Sequence, residues 1–191
     1  MDGRMIILII IALLILGVPV SVIVLRYKKC PPDKVMVIFG NVGKDKNGNA
    51  LPYRYIHGGA AFIWPLIQHF TYLDLNPLSV EVDLKNQKTH LTEKVDFSAL
   101  FTVAVSAEPN ILKNAAEKLV YIRPEQIKEL AETILYRQIQ LFFEKTSMEE
   151  IRTDCSKCME TVCQNAEKEL NQVGLWIINA KLKKIRENIK E

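Results

Sequence analysis

The sequence predicts an α+β chain with an N-terminal transmembrane helix, a β-rich first half and a helix-rich second half. Three observations carry that reading. From Met5 to Leu25 about twenty residues run without a charge, and the run ends on Arg26, Lys28 and Lys29. Between Lys34 and Val105 the apolar residues recur with a period of about two, and beyond Pro109 the period becomes about 3.6.

As a helix rising 1.5 Å per residue, the uncharged run is about 31 Å long, against a hydrocarbon core of about 30 Å. A cleaved signal peptide is the competing reading. It is opposed by the length of the run, which exceeds the usual apolar stretch of about 7 to 15 residues, and by the lack of a small-x-small cleavage site before Arg26. Arg26, Lys28 and Lys29 outweigh Arg4 beside Asp2, so the positive-inside rule places the C-terminal part in the cytoplasm. Gly17 and Pro19 allow a kink within the span, or a shallow re-entrant bend.

Pro31 and Pro32 stop the helix and force an extended exit. Lys34 to Phe39 is a strand, and the stretch 40–49, with Gly43, Asp45, Asn47, Gly48 and Asn49, is an exposed hairpin loop. Gly58-Gly59 reads as a turn or bulge where two strands approach closely, in preference to a phosphate cradle. The segment from Ala60 to Ile67 is unusually apolar. It is either a core strand or a shallow membrane contact with Phe62, Trp64 and Phe70 at headgroup level, and both can hold on different faces. Leu73 to Leu84, broken at Pro77, and Val95 to Val105 alternate as half-buried strands.

In the second half Asn110 caps a short helix running to Val120, and Arg123-Pro124-Glu125 opens a longer one with proline at the first position. Ile127, Leu130, Ala131, Ile134, Leu135, Ile139 and Phe142 form its apolar stripe, which suits a helix packed on a sheet and not a cofactor box. Ser147-Met148-Glu149-Glu150 is a capping box, and Asp154 starts a helix carrying Val162, Ala166 and Leu170. Gly174 ends that helix. Leu175 to Ile178 is a brief strand, and Ala180 to Glu191 returns to a helical pattern with Leu182, Ile185 and Ile189 on one side.

Composition excludes several functions. Lys+Arg at 25 against Asp+Glu at 22 gives a net charge of +3, too weak to argue for nucleic acid, although the basic cluster beside the anchor suits anionic headgroups. His57, His69 and His90 stand apart, and no His-Glu-x-x-His or Gly-x-Ser-x-Gly pattern occurs. No catalytic, cofactor or metal residue is assigned, and the chain reads as a non-enzyme. Cys155-x-x-Cys158 has the spacing of a zinc or redox pair but lacks a second half; on a helix Cys163 lies about 140° from Cys158, so free structural thiols are the simpler reading. Crowding in one segment also argues against a disulfide framework, as reduced cytoplasmic thiols would. Cys30, just past the basic cluster, is a candidate for S-palmitoylation against the simpler reading of an unmodified thiol.

These pieces resemble a known family. Pro-Pro-Asp-Lys-Val-Met-Val-Ile-Phe-Gly over 31–40, then Gly58-Gly59-Ala-Ala-Phe-Ile-Trp64-Pro65-Leu-Ile-Gln68, resembles the start of the flotillins, within the stomatin/prohibitin/flotillin (SPFH, band 7) family. The likeness continues through Glu149-Glu150-Ile151-Arg152, Leu170-Asn-Gln-Val-Gly174-Leu and Leu182-Lys-Lys-Ile185-Arg186. The resemblance implies a membrane anchor with basic collar over 1–29, a β-rich, membrane-proximal SPFH1 part over 30–80, an α/β SPFH2 part over 81–180, and at 181–191 the start of a C-terminal helix. Flotillins carry a long coiled coil there, so the expectation is a fragment or a short family member.

By resemblance the activity is scaffolding: a homo-oligomer, held by its single-pass anchor among membrane lipids, that organises lipid microdomains and gathers other membrane proteins as clients, with no cofactor and no nucleic acid. Anchoring confines subunits to two dimensions and raises their effective concentration, which favours lateral association. Two alternatives stand beside it: a prohibitin-like cage or regulator of a membrane protease, and a membrane-tethered thiol or metal protein using Cys155 and Cys158. The expected membrane-contact residues are Arg26, Lys28, Lys29, Phe62, Trp64 and Phe70.

Overall fold

The computed structural model describes residues 3–44, 48–88, 94–146, 151 and 155–187. The chain divides into two compact units, Met1–Leu73 and Asp74–Glu191. In the first unit a helix, α1 (Gly3–Arg26), is followed without a break by strand β1 (Tyr27–Lys29). β2 (Lys34–Gly40), β3 (Tyr53–His57), β4 (Ala60–Phe62) and β5 (Gln68–Asp74) complete it.

The uncharged run is thus helical, and its described leucines and isoleucines, such as Leu13, Leu14, Ile15 and Leu16, are exposed. The side chains at 4, 6, 8, 9, 19, 20, 22 and 23 lie outside the described residues. Among the described residues no helix is long and apolar enough to cross a membrane. A helix is shown; a membrane-spanning one is not.

Two small sheets build the rest of the unit. One has the order β3-β2-β5, and the other is the antiparallel ribbon β1-β4. The Lys34 to Phe39 strand is β2, and Lys44 bridges to Ala50 across the expected hairpin loop; Asp45 and Asn47 lie outside the described residues. Gly58 and Gly59, both left-handed at φ 72° and 83°, turn the chain from β3 in one sheet into β4 in the other. Left-handed backbone is what glycine supplies without strain, and since a Cβ at either position would meet nothing within 4 Å, it is the backbone conformation and not crowding that calls for glycine here. Cys30, Met36, Ile38 and Ile63 form a buried cluster, with Val42, Ile56, Ala61 and Phe70 packed against it.

The second unit holds β6 (Leu78–Lys88), β7 (Lys94–Val105), α2 (Pro109–Lys118), α3 (Pro124–Lys145), α4 (Cys155–Val173) and β8 (Leu175–Glu187). Its sheet runs β6-β7-β8, all antiparallel, with α3 packed on β6, and α4 on β8, α3 and α2. Alternation decides the faces. Val80, Val82 and Leu84 of β6 and Val95, Phe97, Ala99, Phe101 and Val103 of β7 are buried, while Ser79, Glu81 and Asp83 are exposed. On α3 the buried line is Ile127, Ala131, Leu135, Ile139 and Phe143, so Phe143 takes the place expected for Phe142 and meets Phe97 edge-on at 5.4 Å. Gln126 accepts from the Arg123 backbone N–H at 3.3 Å, which satisfies a donor at the start of α3. Asn110 is not the cap of α2, because Pro109 already occupies the first turn after Glu108. Val162, Ala166 and Leu170 are buried on α4 as expected. The capping box at 147–150, Asp154, His90 and Ile189 lie outside the described residues.

The helix expected from Ala180, and with it the C-terminal helix expected at 181–191, is corrected as far as Glu187; residues 188–191 lie outside the described residues. β8 is a single strand to Glu187, and its register with β7 slips twice, skipping Ile178 and Lys183. Each slip is a bulge that adds one residue. The residues turned toward the helices are therefore Leu175, Ile177, Ala180, Leu182 and Ile185. Spacings alternating between two and three imitate a helical stripe.

Gly174 sits where α4 turns into β8. Its φ is 93°, and a Cβ there would lie 2.3 Å from the Cβ and the backbone nitrogen of Ala115. Gly174→Ala is expected to cost about 2–4 kcal/mol, combining left-handed strain with overpacking, against about 1 kcal/mol for Gly58→Ala, where only the backbone is strained. Denaturant unfolding of the two variants checks this. Equal losses would contradict the close approach of α2 to Gly174.

Candidate membrane-facing surface

The ribbon β1-β4 joins the two sequence segments expected at a membrane. Tyr27 pairs with Phe62, Lys28 with Ala61 and Lys29 with Ala60, while Ile63 N–H donates to the Arg26 carbonyl at 3.1 Å and Cys30 N–H to the Gly59 carbonyl at 2.8 Å. The Tyr72 hydroxyl reaches the Lys29 carbonyl at 3.0 Å from β5. Lys28 and Lys29 are thus held in extended backbone, tied on both sides, directly after the helical Arg26. Arg26 and Lys29 are exposed, and Lys28 is half-buried.

Beyond β4 the chain makes a tight turn. Ile63 is buried, Trp64 is 57% exposed, Leu66 is fully exposed, and Ile67 is 51% exposed. Gln68 holds the turn from inside: its Oε1 accepts from Trp64 N–H at 3.1 Å, its own N–H donates to the Trp64 carbonyl at 3.1 Å, and its Nε2 donates to the Asn41 carbonyl at 2.5 Å. Leu66 adopts a left-handed φ of 72°, which costs a branched side chain of this kind about 1–2 kcal/mol. Gly40 makes the turn possible from below, since a Cβ on it would lie 2.1 Å from the Ile67 carbonyl oxygen. The apolar segment therefore divides, with Ile63 in the core and Trp64, Leu66 and Ile67 outside.

The expected contact residues separate accordingly. Phe62 is half-buried and meets Trp64 edge-on at 5.5 Å, so the two rings form one aromatic corner beside the collar. Phe70 does not join them. It is half-buried on β5, packed against the core cluster and edge-on to Tyr72 at 5.5 Å. Three residues were missed by reading the sequence alone. Tyr27 is exposed between two basic residues, a pattern suited to an interfacial aromatic, and Leu66 and Ile67 are exposed because of a turn that no local motif announces.

Cys30 is corrected as a lipidation candidate. It is only 6% exposed, and its thiol lies 3.3 Å from the carbonyl oxygens of both Lys34 and Ile56. An acyl chain on that sulfur would have to enter the core cluster. Cys155, Cys158 and Cys163 all lie on α4; neither Cys158 nor Cys163 is in a disulfide, and Cys158 lines an apolar space with Phe97, Ile139 and Phe143. Among the described residues no group of three or more His, Cys, Asp or Glu is placed to hold a metal ion. His57 is exposed, with Nε2 3.2 Å from the Pro32 carbonyl, and His69 stacks against Phe39 at 6.3 Å.

Comparison with known proteins agrees with the sheets and helices seen here. Residues 28–191 match the model of the SPFH domain / Band 7 family. The flotillin-like protein FloT of Bacillus subtilis (strain 168) is 23% identical over 176 residues, covering 88% of this chain and 34% of that protein. Flotillin-1 of Drosophila melanogaster is 23% identical over 159 residues, covering 83% of this chain and 36% of its own length. The chain thus spans about a third of these relatives.

Burial, and secondarily the Glu167 carboxylate, push the Cys163 thiol above its ordinary value of 9.0. The folded chain holds that proton more tightly than the unfolded one. Its contribution to stability is therefore complete below about pH 9 and is lost as pH rises through the folded value. At pH 8 iodoacetamide should modify Cys163 more slowly in the native chain than in the denatured chain, as read by peptide mass spectrometry. Equal rates would contradict the burial.

Proposed function

The chain belongs to the SPFH domain / Band 7 family, with flotillins among its relatives, and from that premise we propose that it is a flotillin-type membrane scaffold and not an enzyme. α1 crosses the bilayer, the second unit stands in the cytoplasm, and copies of the chain associate sideways through the SPFH domain. The assembly organises lipid microdomains and gathers other membrane proteins.

One observation carries the membrane reading: the exposed apolar helix α1 runs directly into a strand whose partner leads to Trp64, Leu66 and Ile67. A helix of 24 residues is about 36 Å long, against a hydrocarbon core of about 30 Å. Leaving so many leucines and isoleucines in water would forgo about 25 cal/mol for each Å² of apolar surface that lipid can cover. The exposed Trp64 and Tyr27, beside Arg26 and Lys29, suit the headgroup layer, where aromatic rings and basic side chains favour the boundary. Association sideways follows from confinement, since tethering raises the effective concentration of neighbours.

The full chain should remain with membranes after alkaline extraction and migrate in mild detergent as a multimer. Release into the supernatant contradicts the anchor, and a strict monomer contradicts the scaffold. In sealed membranes a C-terminal tag should be digested only by protease with access to the cytoplasmic side; protection from it reverses the orientation.

A further inference from the structure

β3 carries a charge on the wrong face. In the antiparallel pair β2-β3, Met36 stands opposite Ile56 and Ile38 opposite Arg54. Residues directly opposite each other point to the same side of a sheet, so Arg54 shares its face with Met36, Ile38 and Ile56, the face that builds the core cluster. Alternation calls for an apolar residue there. Arg54 is exposed, and among the described residues it has no ion-pair partner.

Beside it lies an open cavity of about 260 Å³, lined by Ile38, Arg54, Ile56, Ala61, Phe62 and Gln68 among others. A water molecule occupies about 30 Å³ and a pocket for a whole small-molecule ligand begins near 300 Å³, so this space suits a small polar group. Gln68, the other polar side chain of these six, is already committed to Trp64 and Asn41. The guanidinium is therefore the group left to meet a ligand, and its planar fork favours phosphate oxygens. Phe62, on the cavity wall, pairs through β1 with Tyr27, between Arg26 and Lys28. The site thus shares Phe62 with the ribbon that carries Lys28 and Lys29.

We propose that this cavity binds the phosphate of an anionic lipid headgroup, with Arg54 as the residue that recognises it. The proposal rests on the membrane reading for the source of the phosphate, but not for the chemistry of the site. It adds a headgroup position that is built into the fold, distinct from the diffuse attraction of Arg26, Lys28 and Lys29.

Native mass spectrometry of the full chain, released from neutral detergent with added phosphatidylglycerol or phosphatidylcholine, tests it. The expected result is about one phosphatidylglycerol retained per subunit in preference to phosphatidylcholine. Arg54→Gln should weaken retention by about tenfold or more, as loss of a charge-assisted hydrogen bond implies, whereas Lys128→Gln, at an exposed lysine of α3 in the second unit, should change it by less than about twofold. Arg54→Lys keeps the charge without the fork and should fall between. Equal retention by the native chain and both Arg54 variants overturns the proposal; if only Arg54→Gln then aggregates, Arg54 is an inward charge that guards the edge of β3. Inorganic phosphate that binds the native chain but not Arg54→Gln, with no lipid retained, overturns the lipid source and gives the site to a soluble phosphate. Because binding is read in detergent, a chain that fails alkaline extraction can still pass here, and the two readings fail separately.

Discussion

The junction of α1 with β1 is the constraint on which the first unit depends. Helical backbone ends at Arg26 and strand backbone begins at Tyr27, so no linker separates the apolar helix from the ribbon. The Arg26 carbonyl, one of the acceptors a helix end leaves unpaired, is used by Ile63 N–H. A single backbone hydrogen bond contributes only about 0.5–1.5 kcal/mol, and a ribbon of three residues per strand is too short to stand alone. Its stability comes from what lies at its ends, where Cys30 and Ile63 are both buried in one cluster. The junction is held by the core beneath it, and that is why the turn carrying Trp64, Leu66 and Ile67 has a fixed place relative to the start of the strand.

The second unit answers to a different constraint, the central position of β7. Both of its neighbours pair with it antiparallel, and its alternating face supplies Phe97, Phe101 and Val103 to the helices. The β8 edge carries Lys181, Lys183 and Lys184 and two bulges. Lysines and bulges are the features that keep an exposed strand from pairing with another sheet. The lateral association proposed for this chain would therefore be better served by side-chain surfaces than by continuing this sheet through β8.

Much of this was legible in the sequence because it was written in simple periods. β2, β7, α3 and α4 each follow one period with few interruptions, and Pro77, Pro109, Pro124 and Gly174 mark where elements end or begin. What was not legible came from backbone detail. Two bulges turn the period of β8 from two into an average near two and a half, which in the sequence imitates a helix. The division of the Ala60 to Ile67 segment into core and exposed parts depends on a turn that Gln68 holds through bonds to Trp64, just before it, and to Asn41, far back in the chain. The burial of Cys30 is not legible in the sequence, because neighbourhood to a basic cluster says nothing about the direction of a side chain. The same holds for Arg54, since only the register of β3 against β2 shows which face it takes.

The central claim is that the anchor and the exposed turn form one membrane-facing surface. Quenching of Trp64 fluorescence by brominated lipids, in vesicles carrying the full chain with Trp176→Phe so that a single tryptophan remains, addresses it most directly. The account predicts strong quenching by bromines near the boundary between headgroups and acyl chains, weak quenching by bromines deep in the bilayer, and shielding from aqueous iodide. Free access of iodide with no quenching by any brominated lipid would contradict it.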